Sequence, residues 1–257
     1  MKIKIILALM VAALMVACND DDSSKTTARF ELRLTDAPAL YDSVMIEVDD
    51  IYIKMEGMNY EIELDELVDD HINLLELTNG IDTLLAGQDI PAGRISQIRL
   101  VLDDDNYVVV NGVKHQLVTP SAQQSGLKLN VKADLAAGIT YRMWIDFDAS
   151  RSIVANPNKY ILKPVIRTFT EATSGVVTGT VLPASAKAYV LGVSKDLADT
   201  TSAYADEATG KFLLRMLQGT DYTITIQADG YNTITRTEAV ELGKSKDLGT
   251  INLTTGR

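Results

Sequence analysis

Runs of carboxylates are the residues in this 257-residue chain whose types and spacing could do chemistry. Asp103, Asp104 and Asp105 stand in succession between two predicted strands, directly before Asn106. Carboxylates packed into one loop repel each other, and Ca²⁺ relieves that repulsion, so these three aspartates are the candidate metal ligands. The run lacks the D-x-D-x-D-G spacing and the distal glutamate of an EF-hand. A solvated hairpin turn is the alternative interpretation.

Three further aspartates have both a chemical and a structural interpretation. Asp146 and Asp148 alternate on one predicted strand, which places their side chains on the same face about 7 Å apart. They could act as an acid pair or bind Ca²⁺, although an acid pair needs surroundings that separate the two pKa values. Asp36 precedes Ala37 and Pro38 and most simply initiates a turn.

Histidine and serine chemistry have little support in the sequence. The segment 65–71, DELVDDH, brings carboxylates near His71, with an exposed acidic loop as the alternative. His71 and His115 are the two histidines, and no G-x-S-x-G elbow of serine hydrolases is present. We therefore predict a protein that is not an enzyme. The alternative is a cation-dependent hydrolase or accessory esterase that uses the Asp-rich loops.

Trp144 is the candidate ligand contact. In the predicted strand YRMWIDF, Arg142, Trp144 and Asp146 share one face. If that face is solvated, the indole is available to stack on a sugar or to anchor a protein partner. If a second layer covers the face, Trp144 belongs to the core.

Cys18 is the sole cysteine and follows an apolar run, residues 5–16, that comes after Lys2 and Lys4. A run of this length is too short to span a bilayer and is typical of a secretory signal. Residues 15–18, MVAC, resemble a bacterial lipobox, which implies cleavage before Cys18 and acylation of that residue. Several acyl chains, at about 0.8 kcal/mol per buried methylene, would anchor the protein durably. A buried, unmodified cysteine is the alternative.

Asn19 and then Asp20, Asp21 and Asp22 follow the cysteine. Such a cluster resembles the export signal that sends lipoproteins of Bacteroidota-type bacteria to the outer face of the outer membrane. The alternative is a solvated tether without a signal. We predict a signal peptide over residues 1–17, a lipidated acidic tether over 18–26, and a lipid-anchored protein exposed at the cell surface.

The charge and composition exclude several partners. The net charge is −11 and the pI is near 4.7, whereas phosphate binding needs clustered Lys and Arg, so nucleic acid is not an expected partner. With Cys18 in the anchor, the mature chain has no thiol for a disulfide or a thiolate metal site. We expect no cofactor apart from the candidate Ca²⁺.

Short alternating segments rich in Val, Ile, Thr and Tyr, bounded by Gly, Asn, Asp or Pro, run through the chain and predict an all-β fold. Residues 74–85 depart from this pattern and predict a short strand or turn followed by one helical turn. The polar stretch 171–175 separates two such series of strands. We predict two tandem β-sandwich domains, Ig-like or transthyretin-like, over residues 27–170 and 175–257.

Motifs in both parts resemble known families. In the second part, T-G-K-F at 209–212, L-x-G-x-x-Y-x-I at 217–224, D-G-Y at 229–231 and D-L-G-T-I-N-L at 247–253 resemble the carboxypeptidase regulatory-like, transthyretin-like sandwich. In the first part, residues 34–38, 41–44, 74–77, 90–94 and 98–100 resemble domain-of-unknown-function family 4382, which occurs in lipoproteins of the bacterial cell envelope. These resemblances imply a folding and spacing module at the carboxyl end and leave the chemistry of the first domain open.

The sequence therefore predicts a non-enzymatic, lipid-anchored protein of the cell envelope. Its expected role is binding, adhesion or assembly at the surface, with the membrane as one partner through the anchor and a glycan or envelope protein as the other. A purely structural spacer is the further alternative.

Overall fold

The computed structural model describes residues 26–37, 39–65, 67–68, 71–119, 125–157, 159–216 and 218–256. The predicted signal peptide, Cys18 and the acidic cluster 20–22 lie outside the described residues. The described chain is all-β, as predicted, and its strands form four sheets. No helix within these ranges is both long enough and apolar enough to cross a membrane.

The first part of the chain builds two sheets that face each other across one core. The four-stranded sheet has the spatial order β13 (Ile166–Phe169), β10 (Thr140–Asp148), β1 (Thr27–Ala37) and β5 (Thr83–Pro91). The nine-stranded sheet has the order β11 (Ile153–Asn156), β12 (Lys159–Leu162), β8 (Val113–Val118), β7 (Tyr107–Val110), β2 (Ser43–Met55), β6 (Gly93–Leu102) and β9 (Leu127–Leu135), with β3 (Ile62–Glu63) and β4 (His71–Asn73) also paired to β2.

Alternation along β1 explains how this first core forms. Phe30, Leu32 and Leu34 are fully buried, and the residues between them are partly exposed. Successive side chains of a strand point to opposite faces, so β1 presents a continuous apolar row to the larger sheet. Ile51, Ile53 and other apolar residues of that sheet belong to the same buried cluster.

The parallel pairing of β1 and β10 places their carboxyl ends at the same edge of the four-stranded sheet. Asp36 lies opposite Phe147, and Ala37 lies opposite Asp148. β13 returns antiparallel beside β10, with Arg167 opposite Asp146. A short helix, α1 (Ala149–Ser152), follows β10 directly at this edge. The edge therefore collects charged residues that are far apart in the sequence.

The second part of the chain has its own two sheets and its own core. One sheet has the order β17 (Lys211–Met216), β14 (Gly175–Leu182) and β20 (Ser245–Asn252), and the other has the order β16 (Thr200–Tyr204), β15 (Tyr189–Ser194), β18 (Asp221–Gln227) and β19 (Ile234–Ala239). Val177, Phe212, Leu214, Tyr222 and Ile224 are among the residues buried between them. A 3-10 helix, Glu171–Thr173, connects β13 to β14.

The structure differs from the predicted strands in three places. From the sequence alone, residues 160–169 are predicted to form one strand, whereas the structure has two, β12 and β13, which belong to different sheets. Pro164 lies between them and has no N–H to continue a ladder. The sequence also predicts two separate strands over 43–49 and 51–55, but these segments join into β2, with a register shift between Val48 and Asp50. In the segment 74–85 the order is the reverse of the prediction, because a 3-10 helix, Leu74–Leu77, comes first and β5 follows.

Candidate functional site

The edge where β1 and β10 end is the most highly charged buried region of the described chain, and it faces the second sandwich. Asp36, Asp146 and Asp148 are 5–7% exposed there. The Asp148 carboxylate accepts hydrogen bonds from the Arg151 amide at 3.0 Å and the Ser150 hydroxyl at 2.8 Å. Asp148 therefore caps α1, which is a structural role.

Arg167 joins the two parts of the molecule. Its guanidinium donates to the Asp146 carboxylate through Nε at 3.1 Å and also through Nη2. Nη1 donates to Asp199 Oδ1 at 3.0 Å, and Nη2 donates to the Thr201 hydroxyl at 2.9 Å. Asp146 belongs to β10, whereas Asp199 and Thr201 belong to the second sandwich. Charge-assisted hydrogen bonds of this kind are among the strongest in proteins.

The network continues into the second core. The Tyr222 hydroxyl, wholly buried, donates to Asp199 Oδ2. The Asp199 amide donates to the Ser194 hydroxyl at 2.9 Å. Burial lowers the pKa of Arg167, but the Asp146 and Asp199 carboxylates outweigh it, so its pKa lies above the usual value and the guanidinium stays charged.

A small cavity lies beside this network, lined by residues of both parts of the chain. It has a volume of about 20 Å³, which is room for about one water molecule. Three buried polar atoms with no hydrogen-bond partner, Asp36 Oδ2, Asn79 Oδ1 and Ser202 Oγ, belong to residues that line it. Burial raises the pKa of Asp36 well above its usual range, and the neighbouring Asp146 and Asp148 carboxylates raise it further.

Trp144 lies in the interior and is not an exposed ligand contact, so the structure supports the second interpretation of this face, in which Trp144 belongs to the core. Its side chain is 7% exposed, and its ring stacks on Phe169 at 5.6 Å with an interplanar angle of 3°. The indole N–H donates to Asp82 Oδ2 at 2.9 Å. Arg215, which belongs to the second sandwich, places its guanidinium over the Phe169 ring, 4.5 Å from the ring centroid. A layer that the sequence pattern does not reveal therefore covers this face.

The aspartate run 103–105 forms a turn between β6 and β7. The Asp104 amide donates to Asp103 Oδ1 at 2.6 Å, and the hydrogen bond and charge of Asp103 raise the pKa of Asp104. Asn106 is buried and accepts from the Glu47 amide at 2.8 Å. Across the described ranges, no three His, Cys, Asp or Glu side chains come together as metal ligands. The candidate Ca²⁺ site at Asp103, Asp104 and Asp105 is therefore not assembled.

The segment 65–71 does not form an acid–base group in its described part. His71 lies at the start of β4 and contacts the Glu47 carboxylate at 3.3 Å. The Asp65 amide, at the other end of the segment, donates to Gln88 Oε1 at 2.9 Å. Residues 66, 69 and 70 lie outside the described residues.

Sequence reasoning missed Arg167 and Asp199. They stand 21 and 32 positions from the partners Asp146 and Arg167 respectively, and no motif surrounds either residue. It also missed a tyrosine pair, Tyr189 and Tyr204, on the outer face of the second sandwich. The two tyrosines lie opposite each other in the ladder of β15 and β16, and this pairing depends on the register of the two strands, which the sequence does not give.

The geometry defines an all-β protein with two sandwiches joined by a buried ion network. The family described as Domain of unknown function (DUF4382) matches residues 27–164, more than half of the chain, and the chain belongs to this family. No curated protein matches the chain.

Three of the solved structures that match the chain are distant in sequence and superpose poorly. The Bacillus anthracis TIE protein is 11% identical with a TM-score of 0.25, over 89% of this chain and 35% of its own. A variant of the shaft pilin SpaA from Lactobacillus rhamnosus GG is 13% identical with a TM-score of 0.24, over 90% and 99%. The minor pilin GBS52 of Streptococcus agalactiae is 12% identical with a TM-score of 0.28, over 89% and 97%. The chain thus spans about a third of the TIE protein.

Proposed function

We propose that this chain is a non-enzymatic, lipid-anchored protein of the cell envelope that presents two β-sandwiches as one coupled module at the surface. The observation that supports this most directly is the buried network of Asp146, Arg167 and Asp199 between the two cores. Domains of one chain move relative to each other by default unless their interface is strongly held. Here one guanidinium, 18% exposed, satisfies carboxylates from both parts.

The chemistry of the described carboxylates favours a structural role over catalysis. Asp148 caps a helix, and Asp146 and Asp199 are bound by the same arginine. The unpaired oxygen of Asp36 faces a cavity with room for about one water molecule, which is too small for an organic substrate. These contacts fix the arrangement of the two sandwiches.

The course of β1 relates the proposed anchor to the second sandwich. The strand starts at Thr27, next to the proposed tether, and ends at Ala37, beside the second sandwich. At about 3.3 Å per residue, eleven residues span roughly 35 Å. The second sandwich, which we propose to be a carboxypeptidase regulatory-like domain, therefore lies at the end of β1 opposite to Thr27.

Replacement of the anchoring residue tests the location. We expect Cys18→Ala to abolish incorporation of a clickable fatty acid and to move the protein from the membrane fraction to the soluble fraction. Ser23→Ala is the matched control and leaves both properties unchanged. In intact cells, added protease digests the wild-type protein.

A second variant separates acylation from export. The triple change Asp20→Asn, Asp21→Asn and Asp22→Asn keeps the fatty-acid label but protects the protein from external protease. An unacylated mature amino terminus in the wild type would contradict the anchor, and a wild-type protein that resists shaving would contradict surface exposure.

A further inference from the structure

An open groove on the outer face of the second sandwich has the composition of a sugar site. We define the tyrosine groove by its lining residues, which are Leu40, Ser185, Ala186, Lys187, Tyr189, Tyr204, Gln227, Ala228 and Asp229. We propose that the tyrosine groove binds a neutral, hexose-based glycan. The proposal rests on the surface-module function proposed above and names the ligand class of that module.

Two aromatic rings form the floor of the tyrosine groove. Tyr189 of β15 and Tyr204 of β16 lie directly opposite each other in the ladder. Their ring centroids are 5.1 Å apart with an interplanar angle of 53°, and both side chains are only partly buried. Aromatic rings offer large rigid contact area together with a polar tip, which suits a ligand with both apolar C–H faces and hydroxyl edges. Pyranose rings have these two kinds of surface.

Polar groups surround this aromatic floor. Gln227 lies opposite Tyr189 on the neighbouring strand β18, and Asp229 follows it in the next loop. Neither side chain makes a hydrogen bond with another residue of the described chain, and both are exposed. An amide offers two donors and one acceptor oxygen, and a carboxylate offers two acceptor oxygens, so together they can bind adjacent sugar hydroxyls. A few convergent polar groups in a partly apolar pocket are typical of ligand sites.

The charges around the groove favour a neutral sugar. Lys187 forms an ion pair with Glu207, so its charge is compensated. Asp229 then leaves the rim with a net negative charge, in a chain whose total charge is −11. Uronic acids, sialic acids and phosphorylated ligands are repelled by such a rim.

The backbone at Lys187 adds to the case for a built site. Its φ is +48°, in the left-handed region that non-glycine residues rarely occupy. Conformations of this kind persist only where the surrounding structure holds them, and they concentrate at ligand sites. Here the conformation ends the 3-10 helix Ala184–Ala186 and leads the chain into β15 beside the floor tyrosines.

One wall of the tyrosine groove comes from the first sandwich. Leu40, in the loop between β1 and β2, is 71% exposed and lines the groove. The groove has a volume of about 530 Å³, within the roughly 300–1,000 Å³ usual for small-ligand sites. Since both sandwiches contribute, the site is complete only when the ion network holds them together.

Affinity electrophoresis of the full-length protein in detergent tests the proposal. The native gels contain starch, galactomannan, laminarin or yeast mannan, which are hexose polymers, and polygalacturonate serves as the acidic polymer. We expect at least one neutral polymer to retard the wild type and polygalacturonate not to retard it. Tyr189→Ala and Tyr204→Ala each raise the Kd derived from the retardation by about tenfold. The corresponding changes to Phe keep most of it.

Tyr60→Ala is the matched control, because Tyr60 is 59% exposed but lies on the first sandwich outside the groove. Its retardation equals that of the wild type. The proposal is overturned if no neutral polymer retards the wild type, if polygalacturonate alone does, or if the double change Tyr189→Ala and Tyr204→Ala retains binding. These outcomes leave the acylation, shaving and interface experiments unaffected, so a failure of the glycan site and a failure of the surface module are distinguishable.

Discussion

At the scale of single residues, Asp36 has the most unusual environment in the described chain. Its Oδ1 accepts a hydrogen bond from the Ala149 amide at 2.9 Å, whereas Oδ2 is buried without a partner. Burial raises the pKa of this carboxyl, with Asp146 and Asp148 as further causes. The folded protein therefore favours the protonated form more strongly than the unfolded chain does.

The sign of the pH dependence follows from that shift. A carboxyl with a raised folded-state pKa stabilises the fold fully below its unfolded pKa and loses this contribution as pH rises through the folded pKa. Asp36→Asn keeps Oδ1 and adds an amide donor next to Asn79. We expect the free energy of unfolding of this variant at pH 8 to equal that of the wild type or to exceed it by up to about 1 kcal/mol.

Urea denaturation between pH 4 and pH 8 measures the effect. The difference between Asp36→Asn and the wild type shrinks toward pH 4, because Asp36 is then protonated in the folded state and increasingly protonated in the unfolded chain. Asp134→Asn is the control, since Asp134 is 80% exposed and its change has little effect at any of these pH values. A wild-type stability that rises from pH 4 to pH 8 relative to Asp36→Asn would contradict the assignment.

At the scale of elements, local signals predicted local structure. An Asn-Gly pair between two alternating segments predicts a hairpin turn, and Asn111-Gly112 forms one between β7 and β8, with φ of +51° and +75°. The alternation along β1 likewise predicted its buried face. The sheet change at Pro164 and the buried face of Trp144 were not predictable in this way. Both depend on which distant strand packs alongside.

The turn between β16 and β17 gives a prediction at this scale. Gly210 has a φ of +72°, and a Cβ there would clash with the Val181 carbonyl oxygen. We expect Gly210→Ala to lower the free energy of unfolding by about 2–3 kcal/mol, through both backbone strain and the clash. Thermal denaturation followed by circular dichroism measures the loss.

Gly112→Ala separates the two causes. Gly112 has a similar φ, but no atom lies within 4 Å of the point that a Cβ would occupy. Strain alone costs about 1 kcal/mol there. Equal losses in the two variants would show that the contact with Val181 is unimportant.

At the scale of the whole molecule, the interface determines whether two sandwiches behave as one. None of its ion pairs follows from a sequence motif, because Asp146, Arg167 and Asp199 meet only after three strands have found their sheets. The all-β class and the two series of strands were predictable from periodicity. The candidate site was not, since its residues are related by packing between distant segments.

Calorimetry of the full-length chain in detergent tests this coupling. We expect one unfolding transition for the wild type. Arg167→Met leaves two buried carboxylates without their cation, which costs about 3–5 kcal/mol, and separates the unfolding into two transitions. Arg142→Met is the control, because the pair of Arg142 with Glu31 is half exposed and contributes at most about 1 kcal/mol. Two transitions in the wild type would contradict a coupled module. So would the same unfolding behaviour in Arg167→Met and Arg142→Met.

The position of β1 also has a mechanical consequence. If acyl chains hold Cys18 while a bound glycan holds the second sandwich, tension enters the first sandwich at Thr27 of β1 and leaves it at Phe169 of β13, where the chain continues to the second sandwich, and β10 lies between these two strands. β1 is hydrogen-bonded on both sides, to β10 and to β5, over most of its length. Its ladders would then be loaded in shear, with many hydrogen bonds sharing the pull at once, instead of being unzipped one pair after another.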